Sequence, residues 1–188
     1  MLSLSKNKDR IDIIFFGRGG QGAVTASQAF AQAAIRKSLY ALTNPEYGAE
    51  RRGAPVKAYL RVSSRQVQDR EPIVNPDISV VYDFGLVGVY NLDKITRSYI
   101  ILNGSEEYAK KLKGTFSGSV GYVNAYNIAM KVIGRPFVNM PMLGALLQVT
   151  DIVDLDTLKG VVSSMFSKKV AELNIKAIEE AYKETKVI

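Results

Sequence analysis

Residues 11–22 run Ile11-Asp12-Ile13-Ile14-Phe15-Phe16-Gly17-Arg18-Gly19-Gly20-Gln21-Gly22. Six mostly apolar residues lead straight into a glycine-dense turn that carries an arginine. Beyond it, Ala23, Ala26, Phe30, Ala33 and Ala34 recur at helical spacing, so a helix is expected over 23–35. A strand, a glycine turn and a helix N-terminus make an anion pocket. Backbone N–H groups point outward there, and the helix dipole favours negative charge. Gly17, Gly19 and Gly22 match the spacing G-x-G-x-x-G, which lets a pyrophosphate approach the backbone closely. Arg18 adds a guanidinium whose fork can pair with phosphate bidentately. The same glycines also suit a sharp strand-to-helix turn with no ligand. A dinucleotide site would place an acidic residue about 20 positions on, at the end of the second strand. Residues 37–43 offer none, and Glu46 lies past Pro45, which argues against a self-contained NAD site.

Outward from this unit the pattern alternates between strands and helices. Residues 38–43 suit a second strand, and 44–54 a polar loop with a proline and two glycines. Pro55 to Val62 alternates Val56, Ala58, Leu60 and Val62 with Lys57, Tyr59 and Arg61, the pattern of a half-buried strand. A turn and a short segment at 66–68 could complete a hairpin. Ile78 to Tyr82 and Arg97 to Leu102 read as buried strands, with a short helix over 85–91 between them. Residues 103–118 read as a loose surface stretch around a short helix. The last third is helical. Ala125, Ile128, Ala129 and Val132 share one face, Pro141 suits a first helical turn, and Asp154 or Asp156 suits a helix cap. A final helix places Val170, Leu173, Ala177, Ile178 and Tyr182 inward, with Glu172–Lys176 and Glu179–Lys183 pairs outward. The expected fold is α/β: a three-layer α/β/α sandwich on a mixed, mainly parallel sheet with a Rossmann-like first βα unit. Residues 1–10 read as a flexible lead-in, and 11–188 as a single domain.

The bulk composition narrows the chemistry. The 188 residues are 47% hydrophobic and 23% charged, ordinary for a globular protein with a sizeable core. No apolar run is long enough to span a bilayer, the N-terminus has no signal core, and the expected location is the cytoplasm. The chain has no cysteine and no histidine. That excludes thiolate-held iron–sulfur clusters, Cys/His zinc sites, thiol catalysis and a Ser-His-Asp triad within it. Any redox chemistry must therefore sit on a cofactor or another subunit. The net charge of +7 suits an anionic partner, or simply a basic solvated surface. The basic residues are spread out, with no stacking platform or recognition helix that would suggest nucleic acid.

Two further segments carry candidate chemistry. Tyr47-Gly48-Ala49-Glu50-Arg51-Arg52-Gly53-Ala54-Pro55 places two adjacent arginines in a loop. A loop after the second strand emerges near the loop after the first, at the carboxyl edge where ligands bind. Arg18, Arg51 and Arg52 would then surround one cleft. Alternatively, a Glu50–Arg ion pair only stiffens the loop. Arg135-Pro136-Phe137-Val138-Asn139-Met140-Pro141-Met142-Leu143-Gly144-Ala145 is apolar for a loop-to-helix segment, and suits either an adaptable contact surface or ordinary core.

Together these segments resemble the gamma subunit, or domain III, of 2-oxoacid:ferredoxin oxidoreductases of the pyruvate/2-ketoisovalerate type. Gly17 to Ala26, Tyr47 to Val56, Asn75-Pro76-Asp77, Gly134-Arg135-Pro136 and Met142 to Ala145 agree in order and spacing. The resemblance implies a subunit of an enzyme that oxidatively decarboxylates a 2-oxoacid such as pyruvate to acyl-CoA and CO2, reducing ferredoxin. It implies no complete active site here and assigns no catalytic residue. Thiamine diphosphate, Mg and Fe–S clusters would belong to alpha, beta and delta-type partner subunits, and this chain alone would bind no cofactor or metal. Its role would be assembly and handling of the co-substrate coenzyme A, whose phosphates suit a glycine turn with arginines. The residues expected to face coenzyme A are Gly17, Arg18, Gly19, Gly20, Gln21, Gly22, Tyr47, Glu50, Arg51 and Arg52. The alternatives are a purely structural assembly subunit and a stand-alone phosphate- or nucleotide-binding module.

Overall fold

The structure, a computed structural model, describes residues 1–4, 8–46, 53–67 and 71–188. Strand β1 spans Arg10–Arg18. Its apolar run does not alternate because both faces are covered, as in the interior of a layered α/β protein. Ile11, Ile13 and Phe15 pack into one core. Ile14 and Phe16 pack into the other. Fully burying side chains of this size contributes roughly 1.5–3 kcal/mol each.

The glycine turn leads into helix α1, Ala23–Arg36. Its buried face is mostly alanine, with Phe30 as the one large side chain, so the helix lies close against the sheet. Ser38 has φ +60, and the second strand, β2 (Tyr40–Glu46), starts beyond that bend and runs into the expected loop.

Strand β3 (Pro55–Ser63) lies between β2 and β1, antiparallel to both. Its expected alternation fails from Ala58 onward, where every residue is buried, because this strand is covered on both faces. Residues 66–67 form no strand. Strand β4 (Ile78–Val81) pairs parallel to β1 on the other side. Helices α2 (Gly85–Tyr90) and α3 (Leu92–Ile95) follow, then strand β5 (Tyr99–Asn103), helix α4 (Glu106–Lys113) and strand β6 (Ser119–Val123). Among the described residues the sheet order is β2-β3-β1-β4-β5-β6-β7, where β7 (Lys186–Val187) is a short antiparallel edge. Only β3 and β7 run against the others. The mixed, mainly parallel sheet is therefore as expected.

Helices α2, α3 and α4 cover one face through Leu86, Val87, Leu92, Ala109 and Leu112. The other face is covered by α1 and four later helices: α5 (Ala125–Val132), α6 (Asn139–Leu147), α7 (Leu155–Met165) and α8 (Lys168–Glu184). These are the three α/β/α layers. Helix α6 packs so closely on α8 that a Cβ on Gly144 would overlap the Ile178 carbonyl oxygen and lie 3.0 Å from Tyr182 N. On α8 the inward face differs by one position from the expected one. Val170 is exposed and Asn174 is buried. Glu179 pairs with Lys159 of α7 at 2.7 Å, and Glu180 with Lys131 of α5 at 3.1 Å, so both reach across to other helices.

Helix α7 is capped by Asp154, whose carboxylate accepts from Thr157 N at 2.7 Å and pairs with Lys37 at 2.8 Å. The Lys37 hydrogen bond and the cap hold its carboxyl well below the usual carboxylate range. We expect Asp154→Ala to cost about 1 kcal/mol in urea unfolding at neutral pH. A lowered carboxyl pKa contributes stability above the ordinary aspartate value of about 3.9, and that contribution fades as pH falls toward the folded value. The gap between the two proteins should therefore narrow below about pH 4.

At the opposite edge of the sheet from the glycine turn lies a buried ionic cluster. Asp12 and Arg61, 4% and 5% exposed, approach at 3.4 Å, and Arg10 reaches Asp12 at 3.3 Å. Asp77 accepts from Asp12 N at 2.9 Å and from Lys8 Nζ at 2.6 Å. Burial raises the Asp12 pKa against the opposing pull of Arg10 and Arg61. The described part of the expected flexible lead-in is held as well. Leu2 pairs with Thr150, and its N–H donates to Val149 O at 2.7 Å.

Candidate anion-binding site

The site grows from the end of β1. Arg18 N donates to Gln21 Oε1 at 2.7 Å, and Gln21 N donates to Arg18 O at 3.0 Å, which closes the glycine turn on itself. Gly22 then takes φ +78 at the N-terminus of α1, and among the described residues no side-chain hydrogen bond caps that helix. Its dipole and first N–H groups are therefore left for an anion. Gly20 has φ +92, and a Cβ there would meet open space. Gly17 is required for a different reason: a Cβ would press on the Tyr82 ring at 3.1 Å and Gln21 Oε1 at 3.3 Å.

The turn is joined to the end of the arginine loop. Arg18 stands opposite Pro55 in the β1–β3 ladder. Gly19 N donates to Ala54 O at 2.8 Å, and Gly53 N to Gly19 O at 3.3 Å. Tyr47, Glu50, Arg51 and Arg52 themselves lie outside the described residues. Gly53 and Ala54, which follow them in the chain, lie beside the turn.

Arg18 is also held within the chain. Its Nε donates to Asp83 Oδ2 at 2.6 Å, and Nη1 reaches Gly53 O at 3.4 Å. Asp83 follows β4 and also accepts from Gly85 N at 2.8 Å. The Arg18 hydrogen bond lowers the Asp83 pKa, and the same bond raises that of Arg18. Arg18 therefore staples the segments after β1, after β4 and before β3, with its charge largely matched by Asp83. This staple sits where the strand order reverses around β1, the usual place for a ligand crevice in an open α/β sheet.

On the α1 side the turn opens into a groove of about 720 Å³. Gly20, Gln21 and Gly22 form one wall. Arg135, Phe137 and Asn139 come from the segment before and at the start of α6, while Lys169, Val170, Leu173 and Asn174 come from α8. Gly22 faces Asn139 directly, since a Cβ there would run into the Asn139 amide. The third sequence segment is thus divided. Met140 to Leu147 is core, whereas Arg135, Phe137 and Asn139 meet the glycine turn. Lys169 and Asn174 did not stand out in the sequence, because a lysine and an asparagine on a charged helix give no local signal.

The arrangement can bind and orient an anion. Among the described residues no cluster of three or more carboxylates offers a metal site, and no helix is long and apolar enough to cross a membrane.

Comparisons with known proteins agree with this architecture. The sequence profile of the pyruvate ferredoxin/flavodoxin oxidoreductase family matches residues 12–184. The pyruvate synthase subunit PorC of Methanothermobacter thermautotrophicus is 40% identical over 179 residues, 93% of this chain and 95% of its own. The pyruvate/ketoisovalerate oxidoreductases common subunit gamma of Thermococcus kodakarensis is 37% identical over 182 residues, 94% of this chain and 98% of its own. The crystal structure of pyruvate oxidoreductase subunit PORC from Thermotoga maritima superposes with a TM-score of 0.83 at 36% identity, covering 96% of this chain and 99% of that one. The chain belongs to the pyruvate ferredoxin/flavodoxin oxidoreductase family and is a gamma-type subunit of such an oxidoreductase.

Proposed function

We propose that this subunit supplies the phosphate side of a coenzyme A site in a cytoplasmic oxidoreductase that converts a 2-oxoacid such as pyruvate to acyl-CoA and CO2 while reducing ferredoxin. Residues 11–188 act as one unit in it. Alpha, beta and delta-type partners hold the thiamine diphosphate, magnesium and iron–sulfur clusters. The cysteine-free, histidine-free composition fits that division, because no thiolate is present to hold a cluster.

One observation carries the reading. Gly19, in the glycine turn that leads into α1, is hydrogen-bonded to Gly53 and Ala54, which follow Arg51 and Arg52 in the chain. Coenzyme A carries a pyrophosphate and a further phosphate, for which backbone N–H groups at a glycine turn and arginines close to it in sequence are chemically apt. Gly17 to Gly22 shape the backbone cradle. Arg18 fixes the cradle through Asp83, a positioning role beside the phosphate contact expected of it from the sequence. Tyr47 and Glu50 belong to the same loop.

The test is Arg51→Ala with Arg52→Ala in the assembled enzyme. We expect the KM for coenzyme A to rise about tenfold or more, equivalent to about 1.4 kcal/mol of lost binding, with the complex intact. An unchanged KM would sink the reading. A complex that fails to assemble would instead favour a purely structural role, with the arginines meeting partner carboxylates.

A further inference from the structure

We infer that the groove between α2, α3 and α4, on the face of the sheet opposite α1, is a docking site for an acidic, partly apolar segment of a partner subunit. The inference uses the chain's membership of a multi-subunit oxidoreductase and is independent of the coenzyme A reading.

The groove has a volume of about 500 Å³. Its floor is apolar. Val87 of α2 and Leu112 of α4 are buried there, and the Phe84 ring lines it just before α2. A Cβ on Gly88 would meet open space, so α2 leaves the hollow unfilled. Apolar surface continues past the rim. Phe84 stacks on Tyr108 with ring centroids 4.4 Å apart, and Tyr108 is 45% exposed. Val89, next to Gly88 on α2, is 60% exposed. Contiguous apolar surface rimmed by polar groups marks a protein-interaction face.

The charge of the rim selects the partner. Lys94 of α3 and Lys111 of α4 both line the groove, both are exposed, and neither forms an ion pair among the described residues. Lys110, one position away, is by contrast matched by Glu106 at 2.8 Å. Asp93 is the one carboxylate among the described lining residues, so the rim keeps a net positive charge. Carboxylates on an arriving segment meet the two ammonium groups, while its apolar side chains cover Phe84, Val87 and Leu112. A second copy of this chain is the wrong occupant, because each copy carries a net charge of +7 and the two repel. A small molecule is poorly served as well. The buried lining residues are apolar, so no buried polar side chain among the described residues converges on the hollow to orient it.

Two measurements on the assembled oxidoreductase test this. Carbodiimide joins a lysine directly to a carboxylate in contact with it. Treating the wild-type complex and mapping the linked peptides by mass spectrometry should join Lys94 or Lys111 to an aspartate or glutamate of a partner subunit. In the second measurement a variant is co-expressed with the wild-type chain and the partners, and the two forms are counted in the purified complex. Lys94→Glu with Lys111→Glu should be incorporated about tenfold less than wild type. Gly88→Leu fills the hollow from a position where a side chain meets nothing, and should be incorporated about threefold to tenfold less. Lys94→Arg with Lys111→Arg keeps the charge and should compete as wild type does, which separates lost docking from lost folding. Links only to another copy of this chain, no link from either lysine, or equal incorporation of the charge-reversed and Gly88→Leu forms would each overturn the inference. The KM for coenzyme A of Arg51→Ala with Arg52→Ala is decided separately, so either proposal can fail alone.

Discussion

Gly144→Ala lowers the stability of the protein by about 2–4 kcal/mol, read as a shift of the urea midpoint at unchanged slope. The sign is the opposite of the usual one. In a helix interior alanine is normally about 1 kcal/mol better than glycine. Here the new methyl group would overlap the Ile178 carbonyl oxygen and crowd Tyr182 N, and both are backbone atoms of α8. Backbone cannot swing aside as a side chain can, so α6 and α8 must separate and give up close packing along their length. Gly160→Ala on α7 is the control. Its Cβ would meet only the end of Arg36, at 3.1 Å, and a flexible guanidinium can move. That substitution should be neutral or stabilising by up to about 1 kcal/mol. Equal stability of the two variants would refute the close-approach account.

Arg61→Met is the second large effect, about 3 kcal/mol at neutral pH. It leaves the Asp12 carboxylate buried with Arg10, itself partly exposed, as its remaining close cation. The loss should depend on pH in a definite direction. Burial already raises the Asp12 pKa, and removing Arg61 raises it further. A carboxyl whose folded pKa is raised stabilises the fold when protonated, and that contribution is lost as pH rises through the folded value. The deficit of Arg61→Met should therefore be largest near neutrality and shrink as the solution is acidified and Asp12 takes up its proton. Urea unfolding at several pH values from neutrality down toward the ordinary aspartate value of about 3.9 tests this. A deficit that stays constant would mean that lost packing dominates. Adding Asp12→Leu to Arg61→Met should recover much of the stability, because no buried charge then remains.

What could be read from the sequence was what is written locally. The apolar run to Phe16, the glycine turn and the alanine face of α1 each carry their own signal and form as expected. The strand at 119–123 escaped notice because Ser-Val-Gly-Tyr-Val is short, contains a glycine, and follows a polar stretch. β7 has only two residues and exists because β6 offers it a partner. The position of β3 between β1 and β2 has no local signature either, since an alternating strand looks the same wherever it joins a sheet. The same limit applies to the site. The partner of Arg18 lies 65 residues on, at the end of a neighbouring strand. Asn174 reads as surface because asparagine on a charged helix ordinarily is, and only the packing of α6 on α8 reveals it as buried.

The central place of β1 has a kinetic consequence. Its backbone is paired along both edges, and its side chains are buried on both faces. Local opening cannot release such a strand, because its hydrogen bonds break only when both neighbouring strands leave, which amounts to unfolding of the whole molecule. The glycine turn is therefore moored to a strand that opens only with the fold as a whole. A ligand or partner arriving at the turn meets a cradle whose base does not fray, so the adjustment needed for a close fit falls to the arriving molecule.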